Sequence, residues 1–198
     1  MPILPVFGSE DVPVLFNPPQ TGDKAQFYGD WFKIFFTDVA GNSDFAAGIN
    51  TDFLDYGSYR YDVPNSKVTF LNINSLYFTF ANAADSTITP PLLLSWMDTI
   101  LSENRKFIIN MHVPPAYLGI SQLGFGIQFF DDAYQSDFLD MLVTHKSKIN
   151  AIFAGGINIS AVMAPKSSTK NVATPLFIFP AVSPRLSNPG YSTLVIDS

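Results

Sequence analysis

The segment KFIINMHVPP, Lys106 to Pro115, joins a short apolar run to a histidine and two prolines. Lys106 to Met111 reads as a buried strand: the run is too short for a helix and is stopped by proline. A second run, Ile149 to Ala154, is closed by Gly155-Gly156 and reads the same way. The segments before each strand have helical spacing. Thr89 can cap a helix with Pro90 in its first turn, running to Leu101 with Leu93, Trp96, Met97 and Ile100 inward. Asp132 to Thr144 repeats the pattern with Tyr134, Phe138, Leu139 and Leu142. Helices alternating with buried strands predict an α/β architecture, two packed sheets with helices outside.

Further out, Ser58 to Val63 and Lys67 to Ile73 alternate about the turn Pro64-Asn65-Ser66-Lys67 and predict a β-hairpin. Lys24 to Phe36 predicts a helix with Phe27, Trp31, Ile34 and Phe35 on one face, weakened by Gly29. Ile3 to Phe7 reads as a short strand ending at Gly8. Asp38 to Tyr56 reads as a polar connection, and Tyr117 to Phe130 as an apolar, glycine-rich loop. Ile159 to Met163, Pro175 to Phe179 and Ser192 to Ile196 complete a strand-rich tail. No repeat or low-complexity tract divides the 198 residues, so a single domain spanning 1–198 is expected.

Composition narrows the function classes. Net charge is −6 and there is no Lys/Arg run, which argues against nucleic acid. Without cysteine, disulfides and thiolate metal sites are excluded. The longest apolar stretch, Phe107 to Phe130, is broken by His112, Pro114 and Pro115, so no membrane span is expected. The first residues, Met1 to Pro5, do not resemble a signal peptide, and secretion is not supported; an organelle or intracellular assembly is compatible with the chain. The 19 phenylalanines exceed what a domain of this size usually needs, which points to apolar surface meeting a partner.

Chemistry in α/β folds gathers at the carboxyl ends of strands. Three such turns stand out: Gly8-Ser9-Glu10-Asp11, Met111-His112-Val113-Pro114-Pro115 and Gly155-Gly156-Ile157-Asn158. In this order they resemble the later half of the calcineurin-like metallophosphoesterases of the acid-sphingomyelinase-like type. That pattern has a Gly-Asn-His-Asp/Glu turn, a His-x-Pro-Pro turn and a Gly-His-x-His turn. The Pro-rich segment Val14 to Pro19, the helix ending Trp96-Met97-Asp98 and Asn188-Pro189-Gly190-Tyr191 also fit the series. The resemblance implies a partial metallophosphoesterase-like αββα sandwich, with mixed sheets and flanking helices. The family's earlier Asp-x-His and Gly-Asp turns have no counterpart here, so the chain is expected to lack the family's N-terminal half.

The resemblance also implies lost chemistry. Ser9 stands where the family has a metal-binding Asn, and Glu10 where it has the His that serves as acid to the leaving group. Gly156 and Asn158 stand where it has two metal-binding His. Only His112 keeps a ligand type. Two-metal hydrolysis clamps the attacking and leaving oxygens between ions about 3.5–4 Å apart, and each ion needs several ligands. No catalytic residue and no cofactor is therefore expected, and Glu10 and His112 are family-equivalent positions only. A weak single-ion site from His112, Asn158 and Glu10 is the residual metal reading.

Plainer roles compete at each position. His112 reads as a histidine held at a strand end, and His145, beside Lys146 and Lys148, as a helix C-terminal cation. Gly155-Gly156 reads as a tight turn, and Glu10-Asp11 and Asp131-Asp132 as turn and cap residues. Ser9 has no His/Asp order of the nucleophile-elbow kind. Asn158-Ile159-Ser160 matches a glycosylation sequon in a segment read as strand-forming.

The expected function is a catalytically inactive phosphoesterase-like subunit of a larger assembly, with a protein partner or a second copy covering its apolar face. The alternative is an active phosphodiesterase for a phospholipid or nucleotide-like ester. That reading requires an upstream segment or partner chain to supply missing ligands, together with a zinc-type divalent metal.

Overall fold

A computed structural model of the chain describes residues 2–39, 41–82, 88–115, 117–120 and 125–180, with 117–120 and 125–127 described as backbone only. The hairpin forms as its turn chemistry predicts: β1 (Tyr59–Asp62) pairs antiparallel with β2 (Val68–Ile73). Asn65, at the tip, takes a φ of 57°, a conformation asparagine tolerates better than most residues. Strand β2 is more than a hairpin arm. It also pairs in parallel with β3 (Lys106–Met111), which pairs in parallel with β6 (Ile149–Ala154). Among the described residues the sheet has six strands in the order β1-β2-β3-β6-β8-β7, with β7 at Ala161–Met163 and β8 at Leu176–Ile178. Its four central strands are parallel to one another. This is the mixed α/β sheet with flanking helices that the sequence predicts.

Register builds the core. Leu71, Ile109, Ile152 and Leu176 lie side by side on one face, and all are fully buried. Between the strands run α3 (Thr89–Leu101) and α4 (Asp132–Thr144), which bury Leu93, Met97, Ile100, Phe138, Leu139 and Leu142. Asp131 caps α4 by accepting from the Ala133 N–H at 2.9 Å, the role read for it.

Five readings need correction. Residues 38–56 are not a polar connection: Ser43–Tyr56 is a helix, α2, which buries Ile49 and Phe53. It ends at Gly57, whose φ of 64° is the left-handed helix stop. Among the described residues Ile3 to Phe7 pairs with no strand. Pro2 and Pro5 lack ladder donors, and the Ile3 N–H and C=O instead pair with the Asn42 side chain, at 2.9 and 2.8 Å. Tyr59 donates its hydroxyl to the Pro5 carbonyl at 2.8 Å. The first helix, α1 (Lys24–Phe32), opens into a π-turn at Lys33–Thr37. The wider turn rotates the face, so Phe36 is buried and Ile34 is left 51% exposed. Thr89 does not cap α3; the cap position is Ile88, and the Thr89 hydroxyl accepts from Lys24 Nζ at 2.8 Å. The apolar loop contains two short antiparallel strands, β4 (Tyr117–Ile120) and β5 (Phe125–Gln128). The predicted strand Ser192 to Ile196 and the Asn188 to Tyr191 turn lie outside the described residues.

Candidate functional site

Parallel pairing of β3 with β6 places two chain turns together, because both strands end at the same edge. His112 follows β3, and Gly155-Gly156 follows β6. The Gly155 N–H donates to the His112 carbonyl at 3.0 Å and joins the two turns. A third turn comes from the other end of the sequence. Phe7 is fully buried among Phe27, Tyr28, Trp31, Phe35 and Phe53, and this anchor holds the residues after it against the strand ends. The turn itself closes through Asp11 N–H to Gly8 C=O at 3.2 Å and Gly8 N–H to Asp11 Oδ2 at 2.7 Å. Asp11 thus has the turn role read for it.

Ser9, Glu10, His112, Gly156 and Asn158 line one cleft of about 300 Å³, together with Asp11. All five positions singled out in the sequence meet there. Ser9 Oγ lies 3.3 Å from His112 Nε2, a contact across 103 residues. Sequence order offers no reason to pair them; only the meeting of the first turn with the end of β3 does. Burial pushes the His112 imidazole below its ordinary value of 6.5, and Asp11 and Glu10 pull it upward with less effect. The ring is therefore neutral at pH 7.

The backbone of the third turn is unusual. Ile157 N–H reaches Gly155 C=O at 2.9 Å, and Gly156 takes a φ of 76°. A Cβ at Gly156 would stand 2.9 Å from the His112 carbonyl oxygen. Asn158 takes a φ of 57° and is half-buried in the cleft, not in a strand. The sequon segment is therefore the approach to β7 and not part of it.

The donor set does not fit a pair of catalytic ions. A hydroxyl, a glycine and an amide occupy three of the resemblance's four ligand positions. Among the described residues, no three His, Asp or Glu side chains converge on a common point for an ion. Among the described residues the cleft lining holds two carboxylates and neither Lys nor Arg, which gives its mouth an acidic lining.

His145 belongs to a different place. It ends α4, and its Nε2 lies 2.7 Å from Asp98 Oδ1 on α3. Lys148 Nζ donates to the last carbonyls of that region, Leu101 at 3.1 Å and Ser102 at 2.7 Å. His145 thus sits at the helix end where it was read, with Asp98 as the partner that sequence order hid.

A larger groove of about 590 Å³ lies between α2 and the hairpin, lined by Asp44, Phe45, Arg60, Tyr61 and Asp62 among others. Arg60 is engaged there by Glu103 at 2.7 Å and Asp62 at 3.0 Å. Among the described residues no helix is long and apolar enough to cross a membrane.

No family model matches the sequence, and no curated protein matches it. Solved structures do resemble it. A dimetal phosphatase from Danio rerio matches 65% of this chain and 50% of its own, at 13% identity and a TM-score of 0.46. PhoD matches 64% of this chain and 29% of its own, at 12% identity and a TM-score of 0.46. The chain therefore matches half the length of the first and under a third of the second.

Proposed function

We propose that this chain is a metallophosphoesterase-like module, of the acid-sphingomyelinase-like type, that no longer performs two-metal hydrolysis and serves as a structural or interaction subunit. The observation that carries this reading is the donor set of the cleft. Where the resemblance implies several imidazoles and carboxylates converging on two ions, the three turns bring together Ser9, Gly156, Asn158, a single neutral histidine and the turn residues Glu10 and Asp11. Two-metal catalysis depends on both ions being held, and one imidazole with scattered oxygens does not hold two.

The open side of the sheet supports a partner. Tyr59, Asn72, Asn110, Phe153, Phe177 and Val162 form one row across all six strands. Phe177 is 37% exposed and Val162 68%. An adjoining pair of exposed apolar side chains at the edge of the sheet is a candidate contact for that partner.

The test is metal content of the purified protein together with hydrolysis of bis(p-nitrophenyl) phosphate in zinc or manganese. No stoichiometric metal and no metal-dependent turnover are expected. One or two ions per chain with turnover would overturn the reading in favour of an active phosphodiesterase. Size-exclusion chromatography with light scattering tests the partner; a well-behaved lone monomer at high concentration counts against it.

A further inference from the structure

Resting on the position-by-position reading above, we infer that the metal misfit is built into the main chain at Gly156, so restoring the family's side chains does not restore a metal site. His112 has become the centre of a hydrogen-bonded clasp, and Gly156 is its tight seat.

The clasp has three members. The His112 carbonyl accepts from Gly155 N–H at 3.0 Å, and its ring meets Ser9 Oγ at 3.3 Å. The next residue, Val113, donates its N–H to Ser75 Oγ at 2.8 Å. These bonds, with the β3–β6 pairing, fix the His112 carbonyl in place.

Gly156 lies against that carbonyl. An added Cβ would stand 2.9 Å from the oxygen, 3.6 Å from the carbonyl carbon and 3.6 Å from the ring Cδ2. The obstacle is backbone, which cannot swing aside as a side chain can. The φ of 76° adds a second penalty for any L-residue with a Cβ. Its neighbour provides the contrast: a Cβ at Gly155 meets His112 Nδ1 at 3.5 Å and the carbonyl oxygen at 3.9 Å, ordinary contact. A histidine at 156 would therefore have to displace the end of β3, the element that carries the one remaining ligand-type residue.

The experiment compares Gly155→Ala, Gly156→Ala, the triple variant S9N/E10H/N158H and the quadruple variant S9N/E10H/G156H/N158H in the full chain. Thermal melts and calorimetric zinc titrations are the readouts. Gly155→Ala is expected to melt within about 2 °C of wild type, and Gly156→Ala roughly 3–8 °C lower. Neither multiple variant is expected to take up zinc stoichiometrically, and the quadruple variant is expected to melt lower than the triple. Gly156→Ala melting with wild type overturns the tight seat. A quadruple variant that keeps the wild-type melt and binds one or two zinc ions overturns the inference even if it is otherwise well folded. Stoichiometric zinc in the wild type instead defeats the reading under Proposed function, while the difference between Gly155→Ala and Gly156→Ala remains a separate test of the seat.

Discussion

Two rows of side chains cross the same sheet and fare differently. Leu71, Ile109, Ile152 and Leu176 are buried from strand to strand. On the opposite face the row begins equally covered, with Tyr59 and Asn72 at 0% exposure, and opens toward β7, where Val162 is 68% exposed. The reason is what packs above each. Near β1, Phe36, Phe45 and Phe53 of the first two helical segments stack on Tyr59 and Tyr61. Toward β7 the neighbours of Phe153 are Phe177 and Phe179, at ring centroids of 6.0 and 5.3 Å. One row is a finished core; the other is finished at one end. Stability is expected to rest on the first row, and the exposed end of the second is where the proposed association is tested.

The largest expected effect breaks the finished row. Ile152→Ala removes buried methylenes from a central strand flanked on both sides, where the surroundings cannot collapse. A loss of about 2–5 kcal/mol is expected, measured as a shift in the denaturant midpoint with an unchanged m-value. A loss under about 1 kcal/mol would show that the row is less tightly packed than its burial indicates.

The next effect concerns the clasp at the strand ends. Because burial depresses the His112 imidazole, the unfolded chain binds its proton more readily than the folded one. The stability contributed by the neutral ring is fully present above the ordinary value of 6.5 and is lost as pH falls below it. His112→Gln, which cannot titrate, is expected to flatten the dependence of stability on pH between about 6.5 and 5. An unchanged slope in the variant rules out this histidine as its source.

A third effect lies at the covered end of the open row. Asn72 Oδ1 accepts from Asn110 Nδ2 at 2.8 Å, but Asn72 Nδ2 is buried without a partner. Such an orphan donor costs about 1–3 kcal/mol. Asn72→Val removes it and fills the same space, while the half-buried Asn110 can turn to water. A change within about 1 kcal/mol is expected, with either sign compatible, and a larger loss would mean that the Asn72–Asn110 bond outweighs the orphan donor.

The two rows also explain what the sequence could disclose. The β3 and β6 runs are short, apolar and stopped by proline or glycine, the α3 and α4 segments are long and periodic, and all four form where their pattern places them. Strand β2 was legible as a hairpin arm through Val68, Phe70 and Asn72, yet its other residues, Thr69, Leu71 and Ile73, are fully buried. Alternation reveals neither the parallel neighbour at the strand's edge nor the layers that cover both of its faces. The second helix was hidden because Gly48 and its polar residues mask Phe45, Ile49 and Phe53, spaced by four. At the site, each turn was visible singly, but the Ser9–His112 contact and the Gly156 approach depend on register across distant segments. Turn chemistry is local, whereas a cleft is made by pairing.

The smallest effect on stability carries the most information about the open row. Val162 is 68% exposed at the edge of the sheet, so Val162→Ser removes little buried area, and a change within about 0.5–1 kcal/mol is expected. The same substitution removes apolar surface from whatever meets this end of the sheet. If the row is an interface, the variant should run as a smaller species, or lose its partner, at concentrations where the wild type does not. Double substitution with Phe177→Ser tests this further, because Phe177 lies beside Val162 in the row and should deepen the association defect at a smaller cost in stability than Ile152→Ala. Equal association in wild type and double variant would mean that this face is not where partners bind. A steep fall in stability would instead mean that the row is already a core, and the contrast between the two faces would disappear.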